Sequence, residues 1–429
     1  MRLVSLLYFW VSWVLAAIAQ DLPGRPLVDL GYSKYQGVRL AAGVDQFLGM
    51  RFAAPSLGDF RFRAPRDAIR HRAVQDASKF GPVCIGADQN ITVSQAEDCL
   101  FINVFAPSGS KKTSRLPVWV YIQGGGYTSN ANAKYNGAGV VQESDGNIIL
   151  VNFNYRVGAL DGDHNVGLLD QRKSLPWVQR HIHKFGGDPD YVVIHGASAG
   201  ASSVALYLAA YVVRDDGLFR TLGESNVYLD RLLNRVGCYT ISCLRSPDSS
   251  AIEALVWVPV IDGTLVQRLL YTAFEDGRFI RVPLMAINEA YPQLPQLHIT
   301  RNAPRRDLTD TWDYRYNVQG PTSLALGYGV PHTVETSAIF GLDYGGGIGF
   351  SSLVDANAPI IPIMMNFTSF VRGLNPNTLK HATAPVWQPW EAAHQRLKIQ
   401  TNDTVMEGVP RDQQARCAIS KKLAPITKQ

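Results

Sequence analysis

A serine flanked by two glycines lies between an apolar run and a stretch of small residues, and this arrangement constrains the fold most. Residues 191–194 are apolar and rich in β-branched side chains, which is typical of a buried strand, and the small residues after Ser198 indicate a helix. Between them, Gly196 and Gly200 complete the pattern G-x-S-x-G. In that pattern a sharp strand-to-helix turn exposes a serine hydroxyl at a helix N-terminus. The sequence therefore predicts a nucleophilic Ser198 rather than an ordinary Gly/Ser turn.

A second glycine-rich turn follows another apolar strand. Residues 117–122 form an apolar run that ends in Gln123 and three consecutive glycines at 124–126. Glycines leave backbone N–H groups open to close approach by a ligand. Because the turn ends a strand and precedes the serine turn in the chain, we interpret it as a binding loop rather than a flexible connection.

Length and composition allow one large α/β domain or two smaller ones. The chain has 429 residues, of which 46% are hydrophobic, enough to bury a large core. It contains no internal repeat, low-complexity tract or linker, so we expect residues 20–429 to form a single domain. The net charge is +5, from 41 basic and 36 acidic residues, and these charges are interspersed. This distribution argues against a nucleic-acid-binding tail or stripe.

Residues 1–19 have the composition of a secretory signal. Arg2 supplies a positive start, residues 3–15 an apolar centre, and residues 17–19 a small-residue cleavage site. The apolar centre is short for a membrane span, and the polar C-terminus argues against a lipid-anchor signal. We therefore predict a secreted protein without a stable membrane anchor.

Cysteines and sequons agree with export. Five cysteines in an oxidising compartment predict two disulfides and one unpaired thiol. The spacing allows a small loop between Cys238 and Cys243 and a medium loop between Cys84 and Cys99, which leaves Cys417 unpaired. Three N-x-T sequons are candidate glycosylation sites: Asn90, Asn366 and Asn402.

An acidic pair that runs into a strand carries a family resemblance. The stretch 97–107, which begins Glu97-Asp98-Cys99, resembles the second signature of the type B carboxylesterase/lipase family, to which the cholinesterases also belong. The loop 47–65 and the serine turn resemble the same family, most closely its secreted fungal members. The resemblance implies the α/β-hydrolase fold, with a central, mostly parallel sheet flanked by helices. It also implies a small N-terminal antiparallel sheet, which we expect residues 26–31 to begin and residues 44–52 to continue.

The resemblance assigns two structural ion pairs, Arg61 with Glu97 and Arg156 with Asp170. Buried charges need such partners. We therefore interpret the neighbouring acids at 97–98 as scaffold rather than as an acid/base couple.

The resemblance also implies an oxyanion hole. Its donors are the backbone N–H groups of Gly125, Gly126 and Ala199, and Gln123 stands where the family has histidine. Removing one such donor costs about 3–4 kcal/mol of transition-state stabilisation.

The candidate general base is His332. An α/β-hydrolase presents its triad in the order serine, acid, histidine, and His298, His332, His381 and His394 follow Ser198. Residues 329–335 resemble the family's G-V-x-H-x-x-E loop, which selects His332. His195 lies on the strand before the serine turn, and we interpret it as a core residue.

The triad acid has a weaker signal. The family places D-E-G after a strand such as residues 282–287, whereas this chain has Glu289 close to the strand end and no D-E-G. Glu289 is compatible with the acid's role and equally with an ordinary solvated glutamate. Poorer alternatives are Asp307, Asp310 and Asp313. The stretches after residues 158 and 226 are shorter than in the family, which indicates missing internal segments.

The sequence as a whole predicts a secreted serine esterase or lipase that forms an acyl-enzyme on Ser198 and uses no metal or redox cofactor. Its substrate would be a small-molecule ester or a lipid. Ala197 replaces the glutamate that precedes the serine in cholinesterases, which disfavours choline esters. One alternative is a catalytically impaired or non-catalytic relative, favoured by the missing D-E-G and opposed by the intact serine turn and glycine loop. Another is a shortened chain that does not fold stably.

Overall fold

The computed structural model describes residues 24–86, 89, 91–130, 134–158, 163–224, 259–287, 311–318, 325, 330, 335–340, 360–400 and 403–411. The predicted leader at 1–19 lies outside these ranges, as do Cys238, Cys243, Cys417, Asn90 and Asn402.

The described chain begins with a run of strands, and from residue 138 onward most strands are separated by helices. The strands are β1 (Leu27–Asp29), β2 (Lys34–Gln36), β3 (Val38–Leu40), β4 (Val44–Arg51), β5 (Val74–Asp76), β6 (Val83–Cys84), β7 (Gln95–Ala96), β8 (Phe101–Pro107), β9 (Leu116–Ile122), β10 (Ile149–Phe153), β11 (Gly187–Gly196), β12 (Thr221–Glu224), β13 (Leu284–Ile287), β14 (Thr311–Tyr316), β15 (Gln395–Ile399) and β16 (Val405–Gly408). The α-helices are α1 (Ala138–Glu143), α2 (Val166–His181), α3 (Ala199–Ala209), α4 (Leu270–Glu275), α5 (Glu335–Phe340), α6 (Ile360–Gly373) and α7 (Trp390–Ala393). Short 3₁₀ helices span Gly58–Phe60, Ile182–Phe185 and Ala210–Val212. Among these helices, none is both long and apolar enough to span a bilayer.

Eleven of the described strands form the large sheet that organises the fold. Its strand order is β16-β15-β14-β13-β12-β11-β9-β10-β8-β4-β3. The strands from β10 to β15 in that order run parallel, whereas β8, β4 and β3 at one side and β16 at the other are antiparallel to their neighbours. Parallel strands are buried on both faces, which explains why β9 and β10 read as continuous apolar runs. The predicted α/β-hydrolase architecture is confirmed.

Helices cover both faces of the sheet. Alternate side chains of β9 enter two separate apolar clusters, because successive residues of a strand point to opposite faces. On one face, Val118, Val120 and Ile122 share a cluster with residues of α2 and α3, among them Leu175, Val178, Val204 and Leu208. On the other face, Trp119 and Tyr121 share a cluster with residues of α1, α5 and α6, among them Val141, Phe340 and Phe370. The result is a three-layer sandwich with the sheet in the middle.

The expected small N-terminal sheet is present, but one of its expected strands lies elsewhere. β1 pairs antiparallel with β2 in a small three-stranded sheet that also holds β5. The strand expected to continue that sheet, β4, instead pairs antiparallel with β3 and β8 in the large sheet. Both faces of β4 are largely buried. A strand of the large sheet is covered on both sides, whereas a peripheral hairpin would leave one face exposed.

Both ion pairs expected from the family resemblance are present. Arg61 donates to the Glu97 carboxylate at 2.7 and 2.9 Å. Arg156 donates to Asp170 at 2.6 and 2.7 Å, and its backbone N–H adds a third bond at 3.0 Å. The Asp170 side chain is fully buried. A charge at such a position is tolerated because several hydrogen bonds satisfy the carboxylate oxygens. The pair fixes the end of β10 to helix α2.

Cys84 and Cys99 form the predicted medium-loop disulfide, with Cα atoms 4.8 Å apart. Of the three sequons, Asn366 lies within helix α6, where Phe367 and Thr368 are buried. Glycosylation at the three sites stays a prediction.

His195 is a core residue, as expected. It lies on β11, is 4% exposed, and packs among the rings of Trp119, Tyr121, Phe340 and Phe367 at centroid distances of 5.5 to 5.7 Å. Burial away from water disfavours the charged imidazolium and lowers the pKa of His195 from 6.5 to about 3.

This burial predicts a loss of stability in acid. Between pH 6.5 and about 3 the unfolded chain binds a proton at residue 195 that the native state excludes, so the free energy of unfolding falls as the pH falls, by up to about 1.4 kcal/mol per pH unit. Urea unfolding between pH 7 and pH 4 should show a shallower pH dependence for His195→Gln than for wild type. The exposed His71 provides the control, and His71→Gln should keep the wild-type slope. If the free energy of unfolding depends on pH equally in wild type and both variants, burial of His195 is not a source of the acid sensitivity.

Candidate active site

The serine turn and the glycine loop lie side by side at one edge of the sheet. Strands β9 and β11 are parallel neighbours, and their register pairs Gly196 with Ile122. Each strand ends at that level, so the turns that follow both strands occupy the same edge. The Ala197 N–H donates to Ile122 O at 3.3 Å and ties the two turns together.

Ser198 has the backbone conformation of a strained turn. Its φ of 56° and ψ of −125° lie outside the regions that side-chain-bearing residues favour, at a cost of about 1–3 kcal/mol. Bonds from Gly200 N to Ala197 O at 2.9 Å and from Ser202 N to Ser198 O at 3.1 Å hold the turn. A methyl group on Gly196 would lie 2.3 Å from the carbonyl of Gly200, so the turn requires glycine. The strand, turn and helix form as predicted. Ser198 is partly exposed.

The two turns contact each other closely. A methyl group on Gly200 would lie 2.0 Å from Ile122 O, so the first turn of α3 rests directly on the end of β9. A methyl group on Gly124 would lie 2.7 Å from both Ala197 O and Ser198 Cβ. The glycine loop therefore borders the Ser198 side chain, with no room for a side chain between them.

The glycine loop directs a backbone N–H away from its own turn. Gly125 and Gly126 have φ values of 121° and 62°. The carbonyl of Gly125 accepts from Thr128 N at 3.0 Å, Ser129 N at 2.9 Å and Thr128 Oγ1 at 3.1 Å. In a trans peptide the C=O and the next N–H point in opposite directions, so these bonds turn the Gly126 N–H outward.

The three expected oxyanion donors are available. Within the described chain, the N–H groups of Gly125 and Gly126 donate no hydrogen bond, and both glycines are partly exposed. The Ala199 N–H belongs to the first turn of α3, where N–H groups lack an intrahelical acceptor. The helix dipole adds a partial positive charge there. This arrangement can stabilise negative charge beside Ser198.

Polar side chains missed by sequence reasoning hold the loop. The buried Tyr155 hydroxyl donates to Gln123 O at 2.8 Å. The Gln123 amide donates to Asn130 Oδ1, and Asn130 Nδ2 in turn donates to Cys84 O at 3.2 Å. The glycine loop is thereby joined to the disulfide-bonded segment. No local pattern marks these contacts, because Asn130 and Cys84 are 46 residues apart.

The other triad candidates, His332 and Glu289, lie outside the described residues, as do Asp307 and Asp310. Their neighbours in the chain are described: β13 ends at Ile287, and α5 begins at Glu335. Asp313 lies within β14 and is fully buried, so it is not at the carboxyl end of that strand.

Comparison with known proteins adds the decisive observation: the family model described as "Carboxylesterase family" matches residues 25–297. The chain belongs to the carboxylesterase family. The matched range of the carboxylesterase chain contains the serine turn, the glycine loop and both ion pairs.

Individual relatives agree. Lipase 2 of Geotrichum candidum is 31% identical over 360 residues, which are 64% of this chain and 63% of that lipase. Para-nitrobenzyl esterase of Bacillus subtilis is 36% identical over 212 residues, 45% of this chain and 42% of that esterase. This carboxylesterase chain thus spans less than two thirds of either relative. The crystal structure of Aspergillus niger EstA is 40% identical, with a TM-score of 0.89, and the alignment covers 95% of this chain and 99% of that one.

The contact between the two turns makes Gly124 sensitive to substitution. In Gly124→Ala the new methyl group must push the loop away from Ala197 O and Ser198 Cβ. Displacements of about 1 Å at a reacting group cost up to about 100-fold in rate. We expect a fluorophosphonate probe to label Ser198 at least about tenfold more slowly in this variant. Gly139 in α1 faces open space, so Gly139→Ala is the matched control and should label at the wild-type rate. Equal labelling rates in both variants would show that the close approach of Gly124 to Ser198 does not control the reactivity of the serine.

Proposed function

We propose that this chain is a secreted serine hydrolase that cleaves carboxylic esters through an acyl-enzyme on Ser198. The observation that carries the proposal is the strained, partly exposed Ser198 beside backbone N–H groups that donate to no described residue. A nucleophile next to unpaired donors matches the requirements of acyl transfer.

The reaction runs in two halves. Ser198 Oγ adds to the ester carbonyl carbon, and the carbonyl oxygen takes the electron pair and becomes an oxyanion. The N–H groups of Gly125, Gly126 and Ala199 stabilise that charge, and collapse of the intermediate expels the alcohol. Water then attacks the acyl-enzyme, passes through a second oxyanion at the same donors, and releases the acid and free Ser198.

His332 is the proposed general base. It takes the Ser198 proton, returns it to the leaving alcohol, and later activates the water. Support comes from the chain on either side of it, since Val330 and Glu335 are both buried. Val330 and Phe340 belong to the same apolar cluster as Ala197, which precedes the serine.

Glu289 is the proposed acid that orients His332. It follows β13, which is two strands from β11 in the parallel part of the sheet. The carboxyl ends of parallel strands share an edge, and ligands of open α/β sheets bind there. This supports Glu289 over Asp313, whose position inside β14 removes it from that edge.

The substrate class is a small-molecule ester or a lipid. The similarity to a lipase and to para-nitrobenzyl esterase supports ester hydrolysis. Ala197 is 4% exposed and uncharged, so it offers no carboxylate to a cationic alcohol group, which disfavours choline esters. The proposed steps use only side chains and backbone of this chain, with no metal or redox cofactor.

A labelling and turnover experiment tests the proposal. We expect a fluorophosphonate to label wild type, and p-nitrophenyl esters to be hydrolysed. Ser198→Ala should abolish labelling, His332→Ala should lower kcat by about 10⁶-fold, and Glu289→Gln should lower it by about 10⁴-fold. Exposed residues supply the matched controls His71→Ala and Glu143→Gln, which should keep wild-type kcat.

Two results would count against the proposal. A wild-type chain that unfolds cooperatively in urea but takes no label and cleaves no ester would favour a non-catalytic carboxylesterase relative. A fully active Glu289→Gln variant would assign the acid's role to another residue.

Export is the remaining part of the proposal. The composition of residues 1–19 supports it, and so does the Cys84–Cys99 disulfide, because disulfides persist in oxidising compartments. Expression of the full chain in a fungal host should deliver the protein to the medium, with an N-terminus beyond residue 19 by peptide sequencing. Retention in the cells with Met1 intact would contradict export.

A further inference from the structure

A hydroxyl pair joins the two segments that supply the oxyanion donors. Tyr127 directly follows Gly126, and Ser203 lies one helical turn after Ala199. The Tyr127 Oη and Ser203 Oγ atoms are 3.1 Å apart, both residues are buried, and they are 76 positions apart in the chain. We propose that Tyr127 and Ser203 are positioning residues that hold the glycine loop against helix α3 and so set the distance between the oxyanion donors. This inference rests on the proposed ester hydrolysis.

The direction of the hydrogen bonds follows from the protons available. Ser203 Oγ donates to the carbonyl oxygen of Ala199 at 3.0 Å. A serine hydroxyl carries one proton, so Tyr127 Oη–H must be the donor in its contact with Ser203. The chain of bonds therefore runs from Tyr127 through Ser203 to Ala199, the residue whose own N–H is one of the three donors.

The backbone of Tyr127 needs such a restraint. Its φ of 59° continues the positive values of Gly125 and Gly126. Glycine adopts this region freely, but a tyrosine there costs about 1–2 kcal/mol. Its hydroxyl bond to Ser203 restrains it, and so does its carbonyl, which accepts from Gly158 N at 2.8 Å.

The consequence for catalysis is specific. Gly126 N–H precedes Tyr127 by one residue, so any rotation of Tyr127 shifts that donor relative to the Ala199 N–H. The donors act on the oxyanion of the transition state rather than on the neutral ester. Loss of the tyrosyl hydroxyl should therefore lower kcat and leave KM nearly unchanged.

The experiment compares the hydroxyls of two buried tyrosines. Tyr127 contacts helix α3, and Tyr207 belongs to it. Tyr127→Phe removes the hydroxyl that reaches Ser203. Tyr207→Phe is the matched control, because Tyr207 is also buried, lies on α3 and donates to Leu168 O at 2.7 Å, away from the glycine loop. The p-nitrophenyl ester kinetics give kcat and KM for wild type, both variants, Ser203→Ala and the Tyr127→Phe/Ser203→Ala double variant.

A trifluoromethyl ketone gives an independent view of the oxyanion. Ser198 Oγ adds to the ketone carbon, the carbonyl oxygen takes the electron pair, and the serine proton moves to the general base. The resulting adduct carries the same oxyanion as the reaction. Hydrogen exchange of the peptide that contains residues 123–130 provides a third readout, which does not depend on turnover.

We expect Tyr127→Phe to lower kcat at least about tenfold at unchanged KM, to raise the inhibition constant of the ketone by a similar factor, and to speed exchange in 123–130. Ser203→Ala should do the same, and the double variant should be no worse than the single variants, because both remove one connection. Tyr207→Phe should keep wild-type kcat and exchange in 123–130.

Equal losses in Tyr127→Phe and Tyr207→Phe would overturn the positioning role, and so would an unchanged kcat in Tyr127→Phe. If wild type itself hydrolyses no ester, the proposed function fails. The exchange readout then decides separately whether the hydroxyl pair holds the loop.

Discussion

The close approach of helix α3 to the end of strand β9 is the constraint on which the site depends. It exists because Gly200 has no side chain, and a single methyl group there would overlap Ile122 O at 2.0 Å. The register between β9 and β11 sets both turns at one level, and the missing side chain lets them touch. Backbone packing thus brings the nucleophile and its surrounding N–H groups to the same edge of the sheet, where side-chain hydrogen bonds such as that between Tyr127 and Ser203 can act on them.

This packing also explains how the chain tolerates strain at Ser198. A serine at φ 56° is unfavourable on its own, yet the residues before it belong to a ten-residue strand whose last five residues are buried, and those after it belong to a helix. The cost of about 1–3 kcal/mol is small beside the burial of two apolar clusters that meet at this strand. Strain at one residue is therefore sustained by cooperative folding of the sheet around it.

Sequence alone predicted the features that depend on local pattern. Ser198, its flanking glycines and the glycine loop occupy short stretches whose residue types each have a steric reason, so the geometry of both turns could be inferred. The large, mostly parallel sheet was expected from the resemblance to the type B carboxylesterase/lipase family. The pairing of β4 could not be inferred in the same way, because its apolar positions suit either a small peripheral sheet or the edge of the large one. Only the partner strand, β8, decides between them, and its position depends on the whole fold.

Gln123 shows how a departure from the family pattern can leave the site intact. Gln123 stands where the family has histidine. It is 2% exposed, and its side-chain amide donates to Asn130. The orientation of the loop depends mainly on backbone atoms, since Tyr155 binds the Gln123 carbonyl and the 128–129 turn binds the Gly125 carbonyl. A different side chain at 123 can therefore be accommodated without turning the glycine N–H groups. For the same reason, interactions that act on the backbone, such as the Tyr127 and Ser203 hydroxyl pair, have more control over the donors than the side chain that the family motif would highlight.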